Sequence, residues 1–283
     1  MRLRTLPLSL AGVVCGGILA FGRYGGSLWT LLLLFVTTVS LQILSNLSNE
    51  MGDHLSGVDG EGREGPNYSM ADGGMTVPQM WRAINVFVIV CVVSGLAMLL
   101  CSYAFAVDNV QFWLLLLLGA AAIWASTHYT LGKNPYGYRG LGDLFVFIFF
   151  GLVSVMGAYF VVAHTIDGAM IWPAVGCGLL SVGVLNVNNI RDMESDEGIR
   201  RTIPLRIGSR HAKVYQTLLV VGGYVCYLMR GLHWALLLMA LPYVVHLVGV
   251  WRKNGKALDP LLPLLVISTF VLSLIYAIVW YGV

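Results

Sequence analysis

Nine apolar stretches, each close to the length that a helix needs to cross a bilayer, recur along the whole sequence. They lie at 4–22, 27–49, 80–106, 110–130, 143–164, 169–190, 211–229, 232–251 and 259–281. A helix crosses the hydrocarbon core with about 20 residues and satisfies all of its backbone polar groups internally. The sequence therefore predicts an all-α fold, a polytopic membrane protein that forms a single domain over residues 1–283.

The composition supports this interpretation. Hydrophobic residues make up 58% of the chain and charged residues only 11%, whereas about a quarter of a soluble domain is charged. A soluble globular fold is therefore excluded. We expect a lipid bilayer around the protein and no nucleic-acid partner.

The basic residues are distributed unequally between the two sides of the predicted bundle. If the N-terminus is cytoplasmic, the outer segments hold only Arg23 and Arg230. This asymmetry is typical of membrane proteins, and it predicts a cytoplasmic N-terminus. The long, polar, glycine-rich segments 50–79, 131–142 and 191–210 then lie inside, and they predict a cytoplasmic active site. The remaining basic residues fall on the cytoplasmic side: Arg2, Arg4, Arg63, Arg82, Lys133, Arg139, Arg191, Arg200, Arg201, Arg206, Arg210, Lys213, Arg252, Lys253 and Lys256.

Two polar stripes with the same spacing end the second and sixth predicted spans. Asn49 and Asp53 are one helical turn apart, and Asn188, Asp192 and Asp196 follow at the same interval on helix 6. Each stripe alone is compatible with an ordinary polar helix end. Their shared residue types, spacing and side favour one common site.

The chemistry of the two stripes indicates a magnesium–diphosphate site. Carboxylate and amide oxygens suit a hard ion such as Mg²⁺ better than zinc. Magnesium in proteins takes much of its remaining coordination shell from substrate phosphates and water. The stripes therefore predict a substrate that carries a diphosphate.

A glycine-rich segment at 128–143 lies between the two stripes on the same predicted side. Lys133 and Arg139 offer cationic donors for phosphate oxygens there. The alternative is an ordinary cytoplasmic loop with interfacial aromatic residues. The position of this segment between the two carboxylate stripes favours the interpretation that it contributes to the diphosphate site.

These segments resemble a known family. Residues 4–11, 42–53, 134–143 and 185–192 resemble the intramembrane prenyltransferases of the UbiA superfamily. Within that superfamily they are most similar to the bacterial 1,4-dihydroxy-2-naphthoate polyprenyltransferases of menaquinone synthesis. The resemblance covers the cytoplasmic segments up to helix 7 and agrees with nine spans.

The first motif of that superfamily, NDxxDxxxD, is only partly present. Asn49 and Asp53 match it, whereas Glu50 replaces its second residue and Gly57 occupies its last acidic position. Asp59 lies two residues further on. The resemblance therefore implies Asn49 and Asp53 as ligands more strongly than Glu50 or Asp59.

The second motif, DxxxD, and the family's YxxxK element are both present. The resemblance implies Asn49, Asp53, Asp192 and Asp196 as magnesium ligands. It implies a catalytic role for Asp53, Asp192, Asp196 and Lys133, and substrate binding by Asn49, Tyr129, Lys133, Arg139, Asn188 and Arg191.

The function implied is Mg²⁺-dependent transfer of a polyprenyl group from polyprenyl diphosphate to 1,4-dihydroxy-2-naphthoate. Loss of the ring carboxylate would give demethylmenaquinol for menaquinone (vitamin K2) biosynthesis, in the inner membrane of a bacterium. One alternative acceptor is 4-hydroxybenzoate or another aromatic or lipid compound. A secondary transporter is the alternative from a different class, although it would place acidic groups near the bilayer midplane. The sequence predicts neither the length of the prenyl chain nor the oligomeric state of the protein.

Overall fold

The computed structural model of the chain describes residues 3–57, 70 and 73–281. Asp59 lies outside the described residues. Within them the chain forms nine long helices and no strand, so the predicted all-α class is confirmed. The helices are α1 Leu6–Tyr24, α2 Leu28–Leu55, α3 Val77–Ser102, α4 Val110–His128, α5 Gly142–Ala163, α6 Gly168–Arg191, α7 Ile203–Leu228, α8 Trp234–Arg252 and α9 Gly255–Val279.

Eight of these helices are long and apolar enough to span a bilayer, and α7 is the exception among those described. Its first half contains Arg206, Arg210 and Lys213, and its backbone leaves the helical conformation at Gly208, where φ is +79°. The predicted span 211–229 thus overlaps a helix that begins eight residues earlier and ends at Leu228. The predicted count of nine spans is therefore approximate.

Helix α2 extends beyond its predicted end at residue 49. It continues to Leu55 and ends where the Ser56 N–H donates to the Gly52 carbonyl and Gly57 takes a positive φ of +74°. The last turns therefore project past the apolar stretch. This extension places Asn49 and Asp53 on one continuous helix, as the sequence predicted.

Helix α1 lies at the centre of the bundle. Ala11, Cys15, Leu19 and Ala20 are fully buried along it, and it packs against α2, α5 and α9. On one side α2 packs with α3 and α4, and on the other α6 packs with α5, α7 and α9. Association of helices in lipid depends on such close packing.

The two ends of the bundle differ in charge. We call the end that carries residues 129–141 and 192–202 the basic end. At the opposite end Arg23 Nη1 lies 2.6 Å from Asp167 Oδ2, and Arg230 Nη1 lies 3.7 Å from the same oxygen. Arg23 and Arg230 are the two basic residues that the sequence places on the outer side, and both contact this carboxylate.

Candidate active site

A cavity of about 810 Å³ lies between the two halves of the bundle. Its end near the far side of the bundle is apolar, and its end near the basic end is polar. The distance from Leu34 to Asp53 along α2 corresponds to about 28 Å at the helical rise of 1.5 Å per residue. The apolar end includes Leu34, Met98, Leu99, Leu115 and Val161, and the polar end includes Asn49, Asp53, Asn188, Arg191 and Arg200.

The first motif contributes Asn49 and Asp53 from the end of α2. Asp53 is 1% exposed, and its Oδ1 accepts a 3.0 Å hydrogen bond from the hydroxyl of Tyr138. Asn49 Oδ1 accepts a 3.3 Å bond from the Thr130 hydroxyl. Both predicted ligands therefore line the cavity and contact the loop that follows α4.

Glu50, which departs from the family motif, does not line the cavity. Its side chain is buried on another face of α2, where Oε1 accepts a 3.0 Å hydrogen bond from the Met70 N–H. The carboxylate therefore binds the backbone of Met70 and not the cavity.

The second motif lies where α6 ends. Asp192 has φ −93° and ψ +12° and interrupts the helix, which resumes as a short turn at Met193–Asp196. The prediction of one uninterrupted helical stripe is therefore wrong in detail. The i to i+4 bonds persist, because the Asp192 N–H donates to the Asn188 carbonyl at 3.1 Å and the Asp196 N–H to the Asp192 carbonyl at 2.9 Å.

Arg191 binds protein groups with all of its nitrogen atoms. Nε and Nη2 donate to the two carboxylate oxygens of Asp192, each at 2.7 Å. Nη2 also donates to Asn188 Oδ1 at 2.8 Å, and Nη1 to Asp259 Oδ1 at 2.6 Å. The bidentate geometry is the strongest that an arginine forms with a carboxylate. Arg191 thus fixes Asp192 and joins it to the start of α9.

Arg200 brings the two motifs together. Nη2 donates to Asp53 Oδ1 and Nε lies 3.6 Å from Asp196 Oδ1, while the guanidinium lies over the Tyr138 ring, 4.9 Å from its centroid. Burial acts to lower the pKa of Arg200, but the carboxylates of Asp53 and Asp196 raise it above its ordinary value. The residue therefore stays charged.

The loop after α4 contributes Tyr129 to the cavity but not the two cations that the sequence selected. Lys133 and Arg139 are exposed and do not line the cavity. The chain turns away at Gly132, whose φ is +101°. Lys133 therefore does not lie one helical turn from Tyr129, although it is four residues further along the sequence. The YxxxK residues Tyr129 and Lys133, both predicted to bind substrate, are therefore separated in this structure, and only Tyr129 lines the cavity.

An aromatic wall borders the cavity beside this loop. The rings of Tyr136 and Phe145 are stacked at 4.0 Å between centroids, Tyr129 meets Tyr136 edge-on at 5.3 Å, and Phe149 continues the row from Phe145 at 6.2 Å. The Tyr136 hydroxyl donates to the Ala125 carbonyl at 2.8 Å. The hydroxyl is therefore satisfied and the ring faces are held in place.

A second polar group lines the cavity deeper than the carboxylates. Gln42 Nε2 donates to Thr5 Oγ1 at 3.1 Å and to Asn46 Oδ1 at 3.0 Å. These residues lie one and two turns below Asn49 on α2, beside the start of α1. They provide neutral donors and acceptors inside the bundle.

The donor set at the polar end suits a hard divalent cation. It consists of carboxylate and amide oxygens, and Asp53 and Asp196 are directed at one positive group. In the described part of the chain, no three acidic, imidazole or thiol groups are close enough together to hold a metal ion by themselves. The three predicted carboxylate ligands, Asp53, Asp192 and Asp196, therefore do not form a preassembled metal site among the described residues.

The sequence did not identify Arg200, Tyr138 or Asp259 as site residues. Arg200 could have been found, because it continues the interval of four residues from Asp192 and Asp196. Tyr138 and Asp259 come from other parts of the chain, and no local spacing relates them to the motifs.

Comparison with known proteins places the chain in a family. Residues 9–260 match the UbiA prenyltransferase family. The chain belongs to this family. The match covers most of the chain and includes both polar stripes and most of the residues that line the cavity.

Several relatives within the UbiA family share a name. The 1,4-dihydroxy-2-naphthoate octaprenyltransferase of Escherichia coli is 40% identical over 267 residues, which cover 92% of this chain and 85% of that protein. The protein of the same name from Haemophilus influenzae is 33% identical, over 98% of this chain and 92% of its own.

Solved structures of UbiA homologs share the fold. The apo homolog from Aeropyrum pernix has a TM-score of 0.74 at 18% identity, over 99% of this chain and 98% of its own. The homolog from Archaeoglobus fulgidus bound to GPP and Mg²⁺ has a TM-score of 0.65 at 15% identity, over 99% of both chains. The likeness confirms a membrane bundle of this architecture.

Proposed function

We propose that the chain transfers a polyprenyl group from polyprenyl diphosphate to 1,4-dihydroxy-2-naphthoate, with loss of the ring carboxylate as CO₂. The product is demethylmenaquinol. The proposal is supported by relatives of that name that are similar over nearly the whole chain. It is further supported by a cavity whose two ends match the two parts of a prenyl diphosphate.

The observation that carries the proposal is the meeting of both carboxylate motifs at one end of a long apolar cavity. Asp53 from α2 and Asp196 from the turn after α6 contact the same guanidinium. A site with this polarity suits a ligand that has one highly charged head and a long apolar tail. A tail of several isoprene units would extend along α2 toward Leu34.

The residues of the chain would assist departure of the diphosphate. A magnesium ion held by Asn49, Asp53, Asp192 and Asp196 supplies positive charge against the leaving group when it is bound. Arg191 holds Asp192 in position, and Asn188 accepts from that arginine. Groups fixed in advance around developing charge lower the barrier, because they need no reorganisation during the reaction.

The acceptor would lie between the aromatic wall and the polar group formed by Thr5, Gln42 and Asn46. Aromatic rings stack with offsets and with edges on faces, and the row that starts at Tyr136 and Phe145 offers such faces to a planar bicyclic ring. The amides can bind the hydroxyl groups of the ring. The allylic carbon forms its new bond to the ring carbon that loses CO₂.

The decisive experiment is an assay on purified protein with Mg²⁺, 1,4-dihydroxy-2-naphthoate and a long polyprenyl diphosphate. We expect prenylated naphthoquinol, inorganic diphosphate and CO₂ in equal amounts. Transfer to 4-hydroxybenzoate but not to the naphthoate would reject the acceptor. Uptake of a labelled solute into proteoliposomes without prenyl transfer would instead indicate a transporter.

We further propose that the basic end faces the cytoplasm and that the protein lies in the inner membrane of a bacterium. Arg139, Arg200, Arg201 and Arg206 lie at that end, as the positive-inside rule requires. Single cysteines can be tested for labelling on a background without the five native ones. Labelling of position 201 by an impermeant reagent from outside the cell would reverse the orientation.

A further inference from the structure

Arg200 lies at the point where the two carboxylate motifs meet. Its side chain is 12% exposed, and the side chains of Asp53 and Asp196 are 2% and 3% exposed. Two buried carboxylates so close to one guanidinium would repel each other strongly without it. In the ligand-free protein Arg200 therefore supplies the positive charge that faces both carboxylates.

A divalent ion with a diphosphate needs the same carboxylate oxygens. Asp53 Oδ1 already accepts from Arg200 and from Tyr138. A metal ion that binds Oδ1 of Asp53 must therefore displace the guanidinium from this oxygen. Binding of the ion alone would separate a buried ion pair, which is costly when no new partner replaces it.

The backbone of Arg200 is fixed, so the guanidinium stays at the site after displacement. The Arg200 N–H donates to the Asp196 carbonyl at 3.0 Å, and the next residue donates its N–H to the Tyr138 carbonyl at 3.0 Å. Side-chain rotation is then the available movement. Within the described residues, Nε of Arg200 is buried and has no hydrogen-bond partner, so a donor is ready for a new acceptor.

We propose that Arg200 is a resident counter-ion that exchanges the carboxylate of Asp53 for the diphosphate when the substrate binds. A guanidinium binds phosphate through two parallel N–H donors, so its charge then opposes the charge of the leaving group. The metal-free site is kept assembled by the same residue. This inference rests on the proposed function, because it takes a diphosphate as the ligand.

Two titrations on the purified full chain in lipid nanodiscs test the exchange. The first adds Mg²⁺ alone, and the second adds inorganic pyrophosphate at saturating Mg²⁺, with heat of binding as the readout. The variants are R200Q, R200K and, as a matched control, R201Q, which changes the exposed neighbouring arginine.

The two affinities of R200Q should shift in opposite directions. Mg²⁺ alone should bind several-fold more tightly than to the wild type, because no guanidinium competes for Asp53. Pyrophosphate should bind roughly tenfold more weakly or worse, which is the effect of losing one charge-assisted hydrogen bond. R201Q should match the wild type in both titrations.

A merely structural role would weaken both affinities of R200Q together, and parallel shifts or unchanged affinities would overturn the proposal. If R200Q does not fold, R200K carries the test, because lysine keeps the charge but not the forked geometry. Smaller shifts of opposite sign are expected for it, and parallel shifts would again overturn the proposal.

The titrations contain neither a prenyl chain nor an aromatic acceptor, so the two proposals can fail separately. Opposite shifts together with no naphthoate transfer would reject only the proposed acceptor. Naphthoate transfer together with unshifted R200Q affinities would reject only the role of Arg200.

Discussion

At the scale of single residues, replacing any one of the three motif aspartates should abolish most of the prenyl-transfer activity. Asp53→Ala, Asp192→Ala and Asp196→Ala each remove an anionic oxygen from the same magnesium–diphosphate site. We expect each variant to lose roughly a hundredfold or more in kcat. Product formation at saturating substrate measures the loss, and gel filtration and circular dichroism should show a folded protein. Near-normal turnover in two of the three would contradict a shared site.

Asp259 should affect magnesium through Arg191, although it does not belong to either motif. The guanidinium is shared between Asp192 and Asp259. In the Asp259→Asn variant the positive charge of Arg191 would act on Asp192 alone, and the Asp192 carboxylate would become a poorer metal ligand. The Mg²⁺ concentration for half-maximal rate should rise several-fold. Asp108→Asn, a change at an exposed acid elsewhere, should leave it unaltered, and an unchanged requirement in Asp259→Asn would refute the link.

The motif residues could be predicted because residues four apart in the sequence lie on the same face of a helix. Asn49 and Asp53 lie on α2 and line the cavity together. Lys133 could not be placed, because the chain leaves the helix after His128 and turns at Gly132. Glu50 depends on a contact with Met70, twenty residues away. Such contacts depend on the path of a loop, and the spacing of residues within a short motif does not predict that path.

At the scale of helices, two adjacent glycines on α7 should respond differently to alanine. A Cβ at Gly223 would lie 2.8 Å from Leu180 Cγ and 3.0 Å from the Gly176 carbonyl, whereas a Cβ at Gly222 would meet only Leu179 Cδ1 at 3.6 Å. Gly223→Ala should cost about 1–3 kcal/mol of unfolding free energy through overpacking against α6. Gly222→Ala should be neutral or stabilise by up to about 1 kcal/mol.

Thermal unfolding of both variants in the same detergent measures this difference. Equal midpoints for Gly223→Ala and Gly222→Ala would show that α6 and α7 do not pack this closely in the membrane.

The helices could be located from hydropathy, because each must be about as long as the bilayer is thick. Their ends were harder to predict where a helix leaves the lipid. α2 runs past its apolar stretch to Leu55, and α7 begins with the basic residues Arg206 and Arg210. Hydropathy predicts where a helix leaves the lipid, whereas backbone hydrogen bonding determines the residue at which the helix ends. The two differ wherever a helix extends into the loops of the site.

At the scale of the whole molecule, the cavity should select donors by length. Gly119 on α4 lines it, and a Cβ there would meet no atom within 4 Å. Gly119→Phe should therefore fill space without disturbing the fold. We expect kcat/KM to fall by about tenfold or more for a long polyprenyl diphosphate and much less for dimethylallyl diphosphate.

Ala121→Phe is the matched control for this prediction, because residue 121 is exposed on the same helix and does not line the cavity. It should leave both donors unaffected. An equal fall for short and long donors in Gly119→Phe would mean that the tail does not occupy this part of the cavity.

The contact between Arg191 and Asp259 also bears on how the protein is made. A nascent chain of about 200 residues already contains both motifs, but the second carboxylate on Arg191 and the wall residues Leu262, Pro263 and Val266 arrive only with α9. Until α9 inserts, Asp192 lacks its final arrangement and the cavity lacks one side. The site is therefore completed only after α9 has entered the bilayer, and we expect a nascent chain that still lacks this helix not to transfer prenyl groups.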